Sequence, residues 1–496
     1  MIEWRDSEDR DHRGSLFAAF AALARGETWS FPALRPHQRE PWHSFTVQVA
    51  ALALIRAGLD TLPDSEAAWR DLLIGLTPEW PDGEAWELVV DDWSKPALLQ
   101  PPTVAATDRA AYKNRLATPD ALDMLVTAKN HDVKQERMIG ASEQDWLFAL
   151  VTLQTDSSYG GAKTYGASRM NGKTGSRFIV RVRPDGGSGS AFQRDVQILA
   201  SHAVSERDKK SLLWLEPTDG TISLPIADFA PSLYVDCARR IRLRREAGKL
   251  EACYATSQAA RVASDAVAGL TGDPYAPIKP TGDASITPKR ETFGYRGVAR
   301  VLKSKLPILS KPHDSDDQNG LTMSLAALVR RGGTDTNTDG MFHRRIAISR
   351  WEQITAYDQA PLDRIGGTAE KRSEEASEAS KRLGRALISL VQGGPEKARL
   401  DDDAAKKKAE RWLEQFNRMV DGEFFDAPFW AEAAGDEANH RLLWRTRLRA
   451  IASDVFDTAA EAAPRTEVRR IRAIARARSF LDGQMGKWMK DVQHGE

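Results

Sequence analysis

At 496 residues the chain is too long for one hydrophobic core, so two to four domains are expected. An apolar fraction of 41% with 14 Trp supports substantial cores and excludes a disordered chain. Lys plus Arg (70) equals Asp plus Glu (70), which excludes a nucleic-acid binder that works by high overall charge, and Cys237 and Cys253 alone exclude a disulfide framework or a four-Cys zinc site.

In chain order, "MIEWRDSEDR" lacks the basic-then-apolar order of a signal peptide. "VQVAALALI" is about half the roughly 18–20 residues that span a bilayer. A cytoplasmic protein with no membrane partner is expected. His37 and His43, in "RPHQREPWH", fall on opposite sides of a loop-to-helix junction, and nothing nearby completes a zinc site. They read as capping or packing histidines. "SFTVQVAALALIRAG" reads as a helix closed by Gly58. "AWELVV", "RFIVRV", "SLLWLEP" and "ISLPIADF" read as strands bounded by turn residues.

"LVTAKNHDVKQERM" places Lys129, Asn130, His131 and Asp132 side by side after an apolar stretch. Three readings stand open for it: a general base at His131 oriented by a carboxylate, a polar turn, or a loop that holds a phosphate or an unstacked base. Residues 157–184 carry Lys163, Arg169, Lys173, Arg177, Arg181 and Arg183 without one carboxylate, and glycines loosen the first part. Such a loop suits backbone approach to a nucleic-acid groove with cations on the phosphates. The alternative is a mobile surface loop with solvated charge. Further basic runs lie at 239–245, 288–305, 330–345 and 465–478. A chain that segregates charge in this way can present a basic channel while remaining neutral overall.

From about residue 366 Gly and Pro thin out, and Ala, Glu, Lys and Arg dominate. Leu383, Leu387 and Val391, then Trp412, Phe416 and Val420, recur at helical spacing. Breaks near 393–395, 421–428 and 462–464 leave about four long helical stretches, hence an antiparallel bundle. The run Asp401–Asp403 before Lys406–Lys408 is a solvated helix start. Arg469, Arg472 and Arg476 share one face of the last stretch, with Val468 and Ile471 expected to point into the bundle. The expected fold class is therefore α+β: a mixed α/β domain over 1–365, then a C-terminal four-helix bundle over 366–496. No serine or cysteine nucleophile motif and no GxxxxGK[ST] phosphate loop occurs, so no catalytic residue, metal or cofactor is expected.

"LRPHQREPWHSFTVQVAALALIRAG", "LVTAKNHDVK", "WLFALVTLQT", "YGASRMNGKTGSR", "LLWLEP" and "GLTGDPYAPI", in this order, resemble CasA, the large subunit of the type I-E CRISPR surveillance complex Cascade. The resemblance runs through most of 30–350 and, in kind, through the helical tail. It implies a non-catalytic subunit that reads the protospacer-adjacent motif (PAM) of double-stranded DNA, helps open the duplex and start the R-loop. Its other partners would be a CRISPR guide RNA, the other Cascade subunits and a recruited helicase-nuclease. A glycine-rich PAM loop falls on Gly160, Gly161, Ala162 and Lys163, where Ala and Lys depart from the usual small residues. A base-pair wedge falls at Asn337 and Thr338, without the family's glutamine. A groove-reaching cation falls near Arg261, and the guide-RNA handle loop on Lys129, Asn130, His131 and Asp132. Arg169, Lys173, Arg177, Arg469, Arg472 and Arg476 would line the basic DNA path. The competing classes are a metal-dependent nuclease or hydrolase using His131 and nearby acids, and a scaffold that binds only proteins.

Overall fold

The computed structural model describes residues 1–122, 138, 140–160, 162–171, 176–313, 316, 320–330, 338–357, 360–396, 398–462 and 466–493. The chain divides into two compact units, Met1–Arg290 with Ser304–Ala347, and Glu291–Lys303 with Ile348–Glu496. The expected boundary near residue 365 falls inside a helix of the second unit, Pro361–Gln392.

Six helices of the first unit are α1 (Leu16–Ala24), α2 (Arg39–Ala57), α3 (Glu66–Gly75), α4 (Ala106–Arg109), α5 (Glu143–Asp156) and α6 (Gly187–His202). Its strands are β1 (Ile2–Arg5), β2 (Asp11–Gly14), β3 (Asn114–Leu116), β4 (Ile179–Arg183), β5 (Leu224–Pro225), β6 (Arg240–Glu246), β7 (Lys249–Ala255), β8 (Val262–Ala263), β9 (Leu321–Arg330) and β10 (Thr338–Ile348). They form small sheets ordered β10-β9-β4 and β3-β7-β6, with the pairs β1-β2 and β5-β8.

The α2 sequence is apolar on nearly every side, and the helix is buried from Glu40 to Ile55. A helix with no polar face belongs in a core. It starts at Arg39, earlier than the apolar pattern suggested, and ends as expected at Gly58, whose φ of 67° only glycine adopts at no steric cost. Aromatic rings lock α2 to its neighbours: Trp42 meets Phe148 of α5 edge-on at 5.0 Å and Phe31 at 5.6 Å. Each such pair adds about 0.5–1.5 kcal/mol beyond burial.

Three expected strands do not form as read. "AWELVV" opens in a 3-10 turn, Glu84–Trp86, "SLLWLEP" holds another at Leu213–Leu215, and "ISLPIADF" contributes only β5. The tryptophans explain the first two. Trp86 and Trp214 pack edge-on at 5.6 Å, and their indole N–H groups donate to Thr77 Oγ1 and the Ala85 carbonyl. Short apolar runs thus satisfy themselves by burial without a ladder.

"RFIVRV" does form a strand, β4, antiparallel to β9 with Val180 opposite Leu325. Because β4 is buried on both faces as far as Val182, Arg181 within it and Arg177 beside it are interior groups. Arg177 forms a two-pronged pair with Asp273 (2.6 and 2.8 Å) and also donates to Ser44 of α2 (2.8 Å). Arg181 Nε donates to Glu40 of α2 at 2.5 Å. Burial opposes the charged carboxylate, yet Arg181, Arg183 and His43 together hold Glu40 down at about 2.

The second unit holds α7 (Tyr295–Leu302), α8 (Trp351–Tyr357), α9 (Pro361–Gln392), α10 (Asp403–Glu423), α11 (Ala427–Ala433), α12 (His440–Glu461) and α13 (Glu467–Gln493). The four long helices α9, α10, α12 and α13 make the bundle, with α9 packed against the other three. Leu383, Leu387, Phe416 and Val420 are buried in its seam, as their spacing predicts. Asp402 caps α10, accepting from the Ala405 N–H at 3.1 Å, so the acidic run is a helix start. The α+β class with a C-terminal bundle stands.

Replacing Glu40 with Gln leaves the Arg181 guanidinium buried without its counter-charge. The expected loss is about 3–5 kcal/mol in urea unfolding at neutral pH. Glu40 is depressed in the fold from its ordinary 4.5, so its contribution is complete above that value and fades as pH falls toward about 2. The gap between wild type and Glu40→Gln should therefore narrow across that window; a gap independent of pH would refute the assignment.

Candidate nucleic-acid interface

Helix α5 carries a capping box at its start, Ser142 with Asp145, and is buried over most of its length. It delivers the chain at Ser157 into the glycine loop. The Gly160 N–H donates to the Thr164 carbonyl (2.8 Å) and the Ala167 N–H to the Ser157 carbonyl (2.7 Å), so the loop folds back on itself. Gly166 is required for this return: a Cβ there would lie 2.6 Å from the Ser157 carbonyl oxygen.

The loop is pinned laterally as well. The Ser257 N–H donates to the Lys163 carbonyl (2.9 Å), Tyr165 Oη to the Gln258 carbonyl (2.7 Å), and Arg239 to the Ser158 carbonyl (2.7 Å). Lys163 is exposed and sits at φ 63°, a conformation disfavoured for a side-chain-bearing residue by about 1–3 kcal/mol. Ala162 beside it is exposed too. What looked in sequence like a slack basic loop is a braced tip presenting backbone, Gly160 and one outward lysine; Gly161 lies outside the described residues.

The remaining cations of that stretch are used differently from the basic-path expectation. Arg169 is buried, stacked 3.7 Å over the Tyr234 ring, and donates to the Pro231 (2.9 Å) and Tyr234 (2.5 Å) carbonyls. Ser168 beside it is held by Asp236, N–H to Oδ2 at 2.5 Å. Arg177 is consumed by Asp273. Both guanidinium groups are buried and bonded inside the protein, not displayed on a surface path. Lys173 lies outside the described residues. Arg261, expected near the groove, is also interior and donates to the Leu213, Glu216 and Pro217 carbonyls, tying β8 to the Trp214 turn. Burial lowers its pKa.

Of the other expected positions, Lys129, Asn130, His131, Asp132 and Asn337 lie outside the described residues, while Thr338 is the first residue of β10. His37 and His43 are both buried; His43 Nε2 meets Asp195 at 2.8 Å, a packing histidine that burial and Arg181 keep below its ordinary pKa. Among the described residues no cluster of His, Cys, Asp and Glu could hold a metal ion, and no helix is long and apolar enough to cross a membrane.

On α13, Arg469 and Arg472 are exposed. Arg476 is exposed but partly engaged, donating to the Gly394 carbonyl at 3.0 Å with Glu396 at 3.9 Å. Val468 and Ile471 do not enter the bundle; they are 79% and 61% exposed. The inward face runs through Ala473, Ala477, Leu481 and Met485, where the backbone of Gly394 approaches Ala473. At 100° per residue, Val468 and Ile471 lie roughly 140° and 160° around the helix from Ala473.

No family model and no curated protein matches the chain. Solved structures do. The chain is similar to CasA from Thermus thermophilus at 15% identity, TM-score 0.65, covering 98% of each chain. It is similar to the CRISPR-associated protein Cse1 from Acidimicrobium ferrooxidans at 15% identity, TM-score 0.63, covering 99% of this chain and 97% of that one. A chain of a CRISPR RNA-guided surveillance complex matches at 14% identity, TM-score 0.57, with 97% of each covered. The chain has the CasA fold along its whole length.

Because Arg261 braces a turn, Arg261→Gln should lower stability by about 2–3 kcal/mol, the worth of charged hydrogen bonds lost to buried carbonyls. The folded variant should bind DNA as wild type does in a mobility-shift titration. Weaker DNA binding at unchanged melting temperature would return Arg261 to the groove.

Proposed function

We propose that the protein is the large subunit of a type I-E RNA-guided DNA surveillance complex, without catalytic residues or cofactor of its own. The observation that carries this reading is the CasA fold along the whole chain, with one of those folds present in an RNA-guided surveillance complex.

In this reading the braced tip Gly160–Lys163 reads the PAM from the minor groove, where the pattern of donors and acceptors is degenerate and a permissive PAM follows. Thr338, where β10 begins, and Asn337 before it in the chain act as the wedge that parts the first base pairs. Unstacking costs a few kcal/mol per step, which strand pairing with the guide and phosphate contacts offset. Lys129, Asn130, His131 and Asp132 dock on the handle of the guide RNA. Arg469 and Arg472 on α13 hold phosphates without reading sequence. A helicase-nuclease recruited to the complex supplies the cutting, in the cytoplasm.

Co-expression with the neighbouring genes and a guide should yield a complex that retains this chain and binds target DNA without cutting it. Cleavage by the isolated chain with magnesium would overturn the reading. Within that complex, Gly160→Asp should abolish PAM-dependent binding, since a carboxylate at the tip repels the groove. A Cβ there would lie 2.9 Å from Thr164 Cγ2 and 3.4 Å from Arg239 Nη2, a local clash at an exposed tip, so the chain should still fold and a melting temperature near that of wild type checks it. Converting Arg469, Arg472 and Arg476 to Gln should weaken every target alike and reduce the salt slope by about two phosphate contacts, since Arg476 is partly committed to Gly394. An unaltered slope would make the stripe a solubility feature.

A further inference from the structure

The first unit contains a cavity of about 490 Å³, away from the glycine loop, between the first turns of α2, the end of β4, the start of α6 and the face of β9 and β10. That volume lies in the range of small-molecule sites and far exceeds what a lone inorganic ion needs. Four guanidinium groups line it, Arg39, Arg181, Arg183 and Arg345, against the carboxylates Glu40 and Asp185. Glu40 is already taken by Arg181, which leaves three cations facing one acid.

Two of the four guanidinium groups are under-satisfied, while Arg39 and Arg345 are exposed and Arg345 Nε donates to His343 Nε2 at 3.3 Å. Arg181 is 4% exposed, and its Nη1 has no hydrogen-bond partner among the described residues. Arg183, two residues further along β4, is only part-exposed and makes no hydrogen bond or ion pair with a described residue; the nearby Arg181 and burial, with Arg345 adding to them, push it down to about 10. Like charges gathered in a recess in excess of its carboxylates are destabilising unless a ligand completes them. The first turn of α6 borders the cavity through Gly186 and Gly187, but its Ser188 and Gly189 N–H groups already donate to the Trp29 and Thr28 carbonyls (3.0 and 2.7 Å), so the arginines carry the anion site. Trp29, at 51% exposed, stands on the same rim, a large apolar ring left open to solvent beside the cations.

We propose that this cavity binds a phosphomonoester of nucleotide size, its dianionic phosphate held by Arg183 and Arg345 and its ring laid on Trp29. A phosphate dianion matches the net charge of the lining, and arginine forks match its oxygens. The ligand has two possible sources, a free mononucleotide or the 5′-phosphorylated end of a strand. The site does not depend on the PAM reading, and it can be tested on the isolated chain.

Calorimetric titration with AMP, adenosine, a 5′-phosphorylated ten-nucleotide strand and the same strand with a 5′-hydroxyl tests it. Binding of AMP, the phosphorylated strand or both, with adenosine and the 5′-hydroxyl strand at least about tenfold weaker, is expected. AMP binding assigns a free ligand; binding of the phosphorylated strand alone assigns a strand end. Arg183→Gln and Arg345→Gln should each weaken the bound probe at least about tenfold. Arg345 is exposed, so its replacement leaves the fold intact and keeps the test decisive. Trp29→Ala should weaken AMP and leave inorganic phosphate unaffected. No phosphate-dependent binding in the wild type, or binding unchanged in both arginine variants, would overturn the proposal.

Discussion

The first unit is organised around cations buried in and beside one strand. β4 is enclosed on both faces, yet its segment carries Arg177 and Arg181, so partners had to be found inside. Asp273 and Ser44 take Arg177, and Glu40 takes Arg181. Arg194 of α6 adds the same logic one layer out, paired with Asp316 (2.5 Å) and Asp195 (2.8 Å), the latter also meeting His43. Segments remote in sequence are thereby held in one register. Such pairs are weak contributors to net stability but strong constraints on arrangement, because any alternative packing strands a charge in the interior.

That constraint sets what is left for the surface. The stretch 157–184 sends its cations in two directions: Arg169, Arg177 and Arg181 inward, Lys163 outward. Arg169 ties the chain just after the glycine loop to the Pro231 and Tyr234 carbonyls, and the hydrogen bonds to Ser257 and Gln258 fasten the loop's side. A tip held this way has little conformational freedom left to lose, the condition that preorganised binding requires. The same strand, two residues beyond Arg181, points Arg183 at the cavity of the first unit. A single basic run thus serves folding, loop support and a charged recess.

The bundle shows a parallel division. Its seam is made of small and medium residues where α13 meets the end of α9, Ala473 against Gly394, which turns the helix so that Val468 and Ile471 face solvent. Arg469 and Arg472 stay exposed, while Arg476 bends back to a carbonyl at the end of α9. Helical periodicity alone could not choose the buried face, because in the first turn of α13 apolar and basic residues alternate too closely to define a stripe.

How much the sequence settled follows from the range of the interactions involved. The α+β class, α2 with its Gly58 stop, β4, the capped start of α10 and the helical seam of Leu383, Leu387, Phe416 and Val420 were legible because each depends on neighbours a few residues away. Ordered motifs also made the CasA likeness readable. The roles of Arg169, Arg177 and Arg261 were not legible, since an arginine in a basic run reads the same whether it meets water, a phosphate or a carbonyl. Tyr234, Asp273 and the Leu213–Pro217 turn, each more than forty residues away along the chain, decided it. The failed strands at 85–90 and 211–217 have the same cause: Trp86 and Trp214 find each other across the core, and burial outweighs a local preference for extended chain. Local pattern determined the elements; only the tertiary structure, by supplying or withholding long-range partners, determined which charges remain to act.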